Sequence, residues 1–485
     1  MSLTAEEKPW TLHAGLYTRP LYGSELSNHD FAEVSDGSNV FCMGVSFTCI
    51  IPQSQLVSSI HNALCFMRFS SPLLAATVDK HGPDPTVPMA KSWLYEPVCT
   101  LEDAKKWAEA SLTVHRTTMS DDDFVFSMNQ VRLPYTNGDE LIIKQHFGCH
   151  LVLRPSGLHS IFFHTAHYLA DAFAIYNALY RIFDFITDDT HPSLDSLDWG
   201  QEWRNLPVGP VTATGGPRDG WEAGVEALNT AARQAMEHQQ HSKGLIPQRD
   251  QILVRGISAC IHRILDAKMF KEILDALALT DFTVTQLFEA AQILTVLKAH
   301  HPELLREDKA NVILDFTVIA YQRFLVLPYN ARSHHVSFAC TFPMVVYASD
   351  VPWEASPKAQ LLAVMAKIKE QYSIRLSNKH LPHIGSSQYD SQDNPNALAI
   401  TNLKKVEDSL PLNWPIGAQN PMVQISDMSL GHRLTDFYRP LTHVWSLRSE
   451  LHLHLDFCDV YDKSYMEEFL DSTTAIALWI TDRDA

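Results

Sequence analysis

The chain is poor in most features from which a site is usually read. Its eight cysteines, Cys42, Cys49, Cys65, Cys99, Cys149, Cys260, Cys340 and Cys458, are scattered with no C-x-x-C pair. That pattern, with several cysteines inside apolar strand-like runs, fits reduced, buried thiols of an intracellular protein. Positive charge is also short, with 38 Lys and Arg against 56 Asp and Glu, a formal net charge of -18. Nucleic acid and anionic membranes both want basic protein surface, so neither is expected as a partner. No apolar run approaches the ~20 residues of a membrane span. The first residues, MSLTAEEKPW, are acidic where a signal peptide is basic, and no apolar segment follows. The final ITDRDA matches no peroxisomal or retention signal, so a cytoplasmic location is expected.

Several catalytic signatures are missing as well. The absence of G-x-S-x-G, a P-loop and G-x-G-x-x-G removes the hydrolase-elbow, NTPase and dinucleotide readings. There is no H-E-x-x-H, and neither His164/His167 nor His334-His335 has a carboxylate or cysteine ligand set beside it, so no metal is expected.

What is present describes a globular protein. Hydrophobic residues make up 46% and charged residues 19% of 485 residues, a composition that supports packed cores and a length too great for one. Residues 187–250 carry Pro192, Pro207, Pro210 and Gly215-Gly216-Pro217, with a polar stretch at Glu237–Gly244 and room for a helix within Trp221–Met236. They form the best linker candidate. The expected organisation is an N-terminal half at 1–200, a crossover at 201–250 and a C-terminal half at 251–485. Strand-like runs at Val40–Ile51, Phe124–Val131, Gly148–Leu153, Leu158–Phe163, Val254–Leu265, Val312–Val326, Val336–Phe342, Leu398–Leu403, Met422–Met428 and Val444–Phe457 interleave with helical patterns. The longest of these are Gln53–Phe69, Thr283–Lys298, Pro357–Arg375 and Lys463–Ala477. Mixed strands and helices of this kind predict α/β sandwiches of the two-layer α+β type, not a Rossmann array. In Val444–Phe457 the alternation places Leu447, Leu451, Leu453, Leu455 and Phe457 on one face and His452, His454 and Asp456 on an expected exposed face.

The stretch Ser160–Ala178 stands out. Ile161-Phe162-Phe163 reads as a buried strand, and after His167-Tyr168-Leu169-Ala170-Asp171 a helical pattern begins with Phe173, Ile175 and Tyr176. A strand that stops at a histidine, turns and continues as a helix can present an imidazole to a cavity. H-x-x-x-D alone is weak, for the sequence has five matches: His167/Asp171, His191/Asp195, His262/Asp266, His432/Asp436 and His452/Asp456. Context separates them. His191 lies in the Pro-rich linker, His262 next to Arg263 at what reads as a solvated edge, His432 in a turn-like segment after Gly431, and His452 on the expected exposed face. Only His167 sits at a strand-to-helix junction walled by apolar residues. A neutral imidazole there can act as a general base, with Asp171 as a structural clamp. A core histidine satisfied by a backbone carbonyl is the alternative.

The segment FFHTAHYLADAFAIYNAL resembles the HHxxxDG motif of the chloramphenicol acetyltransferase-like superfamily, which includes the condensation domains of nonribosomal peptide synthetases, BAHD plant acyltransferases and fungal acetyltransferases. The order of elements along nearly the whole chain matches too, and WSLRSELHLHLDFCDVYDKSYMEEFLDS looks like the closing strand and helix. In style the chain is most similar to the fungal trichothecene 15-O-acetyltransferase group. The resemblance implies two pseudo-symmetric domains with an active-site tunnel between them. In it, His167 would deprotonate a hydroxyl that attacks the thioester of an acyl-CoA. It implies acetyl-CoA as co-substrate, no permanently bound cofactor, a small-molecule acceptor such as a sesquiterpenoid, and a monomer. Asp171 would pair with Arg323, Asp436 would hold the place of a structural D-F-G-W-G turn, and Thr401 with Asn402 would offer polar groups to the oxyanion. The chain departs from the motif at Ala166, where the first histidine stands, and at Ala172, where the glycine stands. An amide-forming condensation or a non-acyl cyclisation is the rival expectation within this fold.

Overall fold

A computed structural model describes residues 7–79, 91–137, 140–237, 239–249, 256–300, 303, 305, 309–332, 339–381, 396–435 and 439–482. The principal strands are β1 (Val40–Cys49), β2 (Leu112–Arg116), β3 (Phe147–Leu153), β4 (Leu158–Ala166), β5 (Ser258–Leu265) and β6 (Asn311–Ala320). They continue with β7 (Ala339–Tyr347), β8 (Leu398–Lys405), β9 (Asn413–Trp414), β10 (Val423–His432), β11 (Leu441–Leu447) and β12 (Glu450–Cys458). The helices needed below are α1 (Gln53–Ser70), α2 (Asp121–Asn129), α3 (Ala172–Thr187), α4 (Trp221–Glu237), α5 (Val284–Thr295), α6 (Pro357–Leu376) and α7 (Lys463–Ala477).

The chain divides into two compact units, each mixed α/β and each built on a six-stranded sheet. The first comprises Met1–Pro217, Tyr321–Phe338 and Val406–Arg433, and the second Arg218–Ala320, Ala339–Lys405 and Leu434–Ala485. The units are therefore not contiguous, unlike the halves expected at 1–200 and 251–485. Within residues 201–250 the helix expected at Trp221–Met236 is present as α4.

In the first unit the strand order is β9-β10-β1-β4-β3-β2. The apolar run foreseen at 158–163 is the centre of β4, which lies antiparallel between β1 and β3 and is buried from His159 to Ala166. Gly44 on β1 allows the two strands to pack this closely. A Cβ there would strike the Ile161 carbonyl oxygen and the Phe162 ring. After β4 the chain enters α3, whose Ile175, Tyr176, Leu179, Ile182 and Phe183 are buried. Each such side chain contributes about 1.5–3 kcal/mol when removed from water.

In the second unit the order is β5-β12-β11-β8-β6-β7. Its core gathers α5, α6 and α7 against Leu451, Leu453, Leu455 and Phe457 of β12. Helix α5 starts at Thr283, which forms a reciprocal capping box with Gln286.

Three local expectations are corrected. Phe124–Val131 is not a strand: Phe124–Asn129 belong to α2 and Gln130 caps its end. The Ser120 hydroxyl accepts from Asp123 N–H at 3.1 Å, and Asp121, Asp122 and Asp123 place negative charge at the helix start, which overrides the apparent alternation. Val312–Val326 is strand only to Ala320, after which Tyr321–Arg323 form a 3₁₀ turn. Val444–Phe457 is two strands, β11 and β12, paired through a tight turn at Arg448-Ser449 with φ of 51° and 68°. That left-handed geometry favours Asn-Gly, so Arg-Ser gives no hairpin signal in the sequence. The face expected to be exposed is instead buried, with His452, His454 and Asp456 at 3%, 5% and 0% exposure.

Among the described cysteines none is bridged. No helix of the described residues is long and apolar enough to cross a membrane.

Candidate active site

Strand β4 ends at Ala166, and Leu169 and Ala170 N–H groups return to the Ala166 carbonyl at 3.0 and 3.3 Å. This tight turn holds His167 directly at the strand end. Tyr168 next to it is buried and hydrogen-bonded to His146 Nδ1, anchoring the turn from the other side. Asp171 is the N-cap of α3, its Oδ1 accepting from Ala174 N–H at 2.8 Å. The carboxylate thus clamps the junction, as its position four residues on suggests. The two departures from the motif have simple physical readings. Ala172 is the first helical residue, where no left-handed backbone is needed, and Ala166 is a fully buried strand end.

The His167 ring faces Phe41 at 5.2 Å and His432 at 5.8 Å between centroids, while Phe41 and His432 stack at 5.1 Å and 13°. The sheet register brings these rings together, since Phe41 lies opposite Thr165 on one side and opposite His432 on the other. Burial, and then the neighbouring His432, push the His167 imidazole down to about 4, so it is uncharged across the neutral range. His167 itself keeps partial solvent exposure. Burial raises the Asp171 carboxyl to about 6, although hydrogen bonds from Ala174 N–H and the Gln322 side chain oppose that rise.

The sequence offered His432 only as one of five H-x-x-x-D matches, in what read as a turn, and did not indicate its support. His432 ends β10 and is not in a turn, and Arg433 after it is buried. Arg433 donates to the Asp36 carbonyl and carboxylate at 3.0 and 2.7 Å and to the Gln130 carbonyl at 2.8 Å.

Of the remaining expected residues, Arg323 is exposed over the Phe324 ring at 5.8 Å and forms no ion pair with Asp171 among the described residues. The 3₁₀ turn directs Gln322, one residue earlier, to that carboxylate instead. Thr401 and Asn402 lie within β8 of the second unit, in the strand expected at Leu398–Leu403. The Asn402 amide is already engaged, donating to Thr285 Oγ1 at 3.0 Å and accepting from Lys404 N–H at 2.7 Å. Asp436, Phe437 and Tyr438 lie outside the described residues. Among the described residues no metal-type cluster of side chains includes His167.

Fold comparison places this arrangement in a known architecture. The fold is that of trichothecene 15-O-acetyltransferase from Fusarium sporotrichioides, with a TM-score of 0.82, 17% identity and 99% of each chain covered. Polyketide synthase associated protein 5 from Mycobacterium tuberculosis is also similar, at TM-score 0.60 and 12% identity over 96% of this chain and 98% of that one. So is the epimerization domain of the third module of tyrocidine synthetase B, at TM-score 0.61 and 12% identity over 97% and 99%. The chain therefore has the chloramphenicol acetyltransferase-like fold shared by acetyltransferases and condensation-type domains. No family model and no curated protein sequence matches it.

Proposed function

We propose that the protein is an acyl-CoA-dependent O-acyltransferase that moves an acetyl group to a hydroxyl of a secondary metabolite such as a sesquiterpenoid. The observation that carries this reading is the placement of the His167 imidazole directly at the end of β4, against Phe41 and His432, where burial favours its uncharged form. In the proposed reaction His167 takes the proton of the acceptor hydroxyl as its oxygen attacks the thioester carbonyl carbon. The tetrahedral intermediate collapses by breaking the C–S bond, and the imidazolium returns the proton to the departing thiolate. Proton transfer by a positioned side chain supplies about 10²–10⁴-fold, and holding acceptor and thioester together supplies much of the rest. Asp171 and Gln322 act in this scheme by fixing the turn, not by touching substrate.

The test is release of free CoA thiol from acetyl-CoA in the presence of a panel of hydroxylated sesquiterpenoids, comparing wild type with His167→Ala. Release that His167→Ala abolishes supports the proposal. No release from any acyl-CoA by the folded protein overturns it and favours amide condensation or a non-acyl cyclisation on the same fold. Release unchanged in His167→Ala removes this histidine as the base.

A further inference from the structure

The second unit carries a cluster of side chains that the proposed acyl transfer does not use. On β12, His454 and Asp456 share the face opposite Leu453, Leu455 and Phe457, which pack into the hydrophobic core. The register sets Cys260 of β5 opposite Asp456, and sets His454 between His262 of β5 and His443 of β11. Directly opposed residues in antiparallel strands have Cβ atoms about 4.5–5.5 Å apart, so a thiol, an imidazole and a carboxylate are forced together. The Cys260 sulfur, a His454 ring nitrogen and an Asp456 carboxylate oxygen all lie within 4.8 Å of one another. His454 Nε2 is 3.0 Å from Asp456 Oδ1, and His443 Nδ1 is 3.4 Å from Asp456 Oδ2. His454, Asp456 and His443 are buried, and Cys260 is half-buried.

A tetrahedral zinc-class ion holds its ligands at about 2.0–2.3 Å, which sets ligand-to-ligand separations of roughly 3.3–3.8 Å. The 4.8 Å limit on the three groups exceeds that separation by about 1–1.5 Å, and His454 and Asp456 are already closer. The donor set also selects the ion. Thiolate and imidazole favour zinc and its neighbours, whereas calcium and magnesium want oxygen alone. We propose that Cys260, His454 and Asp456 bind a divalent ion of the zinc class, with water as fourth ligand and His443 holding the second carboxylate oxygen of Asp456. Linear spacing hides such a site, because its ligands come from opposite ends of the second unit's chain and meet only through sheet register.

The test uses the purified full chain, stripped with a chelator and titrated with Co²⁺. Coordination through the thiolate gives a near-ultraviolet charge-transfer absorption. The expected result is one Co²⁺ per chain with that absorption, displaced by Zn²⁺. Cys260→Ser loses the absorption, and His443→Gln weakens binding by about 10–100-fold, the usual cost of losing a group that orients a ligand. No uptake overturns the proposal. So does uptake that lacks the thiolate absorption or survives unchanged in Cys260→Ser, which would place the ion elsewhere, for instance at Asp184, Asp188 and His191. Should Cys260→Ser fail to fold, alkylation of Cys260 in the wild-type protein provides the same decision. Zn²⁺ protects the thiol if the site is real, and failure to protect it overturns the assignment.

Discussion

Gln322 donates a hydrogen bond to the buried carboxylate of Asp171, and the adjacent Arg323 lies exposed on the ring of Phe324. A neutral amide thus supports the clamp at the start of α3. An amide offers less stabilisation to the ionised carboxylate than a guanidinium would, consistent with a carboxyl raised to about 6 by burial.

The two neighbours should consequently behave differently on substitution. Arg323→Ala is expected to leave stability within about 0.5 kcal/mol, as for other surface positions. Gln322→Leu removes a donor from a buried carboxylate and is expected to cost about 1–3 kcal/mol at pH 7. Losing the donor raises the folded Asp171 value further above its unfolded one, so the folded state holds its proton to higher pH. The destabilisation should then be smaller at pH 5 than at pH 7, as measured by urea unfolding at both. A cost independent of pH would assign Gln322 a role unrelated to Asp171.

Buried and half-buried histidines of the first unit make a prediction of the opposite sign. Burial lowers His146 and His164 to about 3 and His150 and His167 to about 4, from an ordinary value of 6.5. Below 6.5 the unfolded chain binds protons that the folded chain refuses. Their contribution is therefore full above pH 6.5 and declines as pH falls towards 4 for His150 and His167 and towards 3 for His146 and His164, by at most about 1.4 kcal/mol per histidine per pH unit. Replacing His164 with Gln should flatten that decline, read as the slope of unfolding free energy between pH 6.5 and 5.

Glu289 on α5 is fully buried, accepts a hydrogen bond from Tyr372 at 2.7 Å, and is raised by burial to about 8. A raised acid favours the folded state at low pH, and this advantage is lost as pH climbs from 4.5 to 8. Glu289→Gln cannot ionise. Its melting temperature relative to wild type is expected to rise over that interval and to be highest above pH 8. A constant difference would show that Glu289 does not titrate there.

The pairing of His167 with His432 is open to direct observation. Replacing His432 with Phe keeps an aromatic ring against Phe41 but removes the second charge, so the His167 imidazole should titrate above about 4, though still below 6.5 because burial remains. Imidazole resonances followed by NMR against pH would measure the change. An unmoved His167 titration would mean that burial alone sets it.

The sequence revealed what is local. The apolar run before His167, the helix after Asp171 and the helical pattern from Thr283 all follow from neighbours within a few residues, and these elements fall where expected. What it hid depends on register. His432 reaches His167 because β10 pairs with β1 and β1 with β4, and Cys260 reaches Asp456 because β5 pairs with β12. Neither pairing has a signature in linear spacing. The misreading of β11 and β12 as one strand has the same origin, since two non-glycine residues in left-handed conformation make a turn that composition does not announce.

The discontinuous first unit bears on how the protein is made. Strand β10 lies beside β1 in that unit's sheet, yet it is encoded at Val423–His432. A ribosome that has finished Pro217 must add another 433 − 217 = 216 residues before this unit's last segment ends at Arg433. At ordinary elongation rates that takes roughly 10–40 s. Throughout that interval the β1 edge lacks its partner and can pair with a strand of another nascent chain. Expressing residues 1–250 alone makes that temporary gap permanent, so the fragment is expected to aggregate, and adding a synthetic Val406–Arg433 peptide should restore solubility.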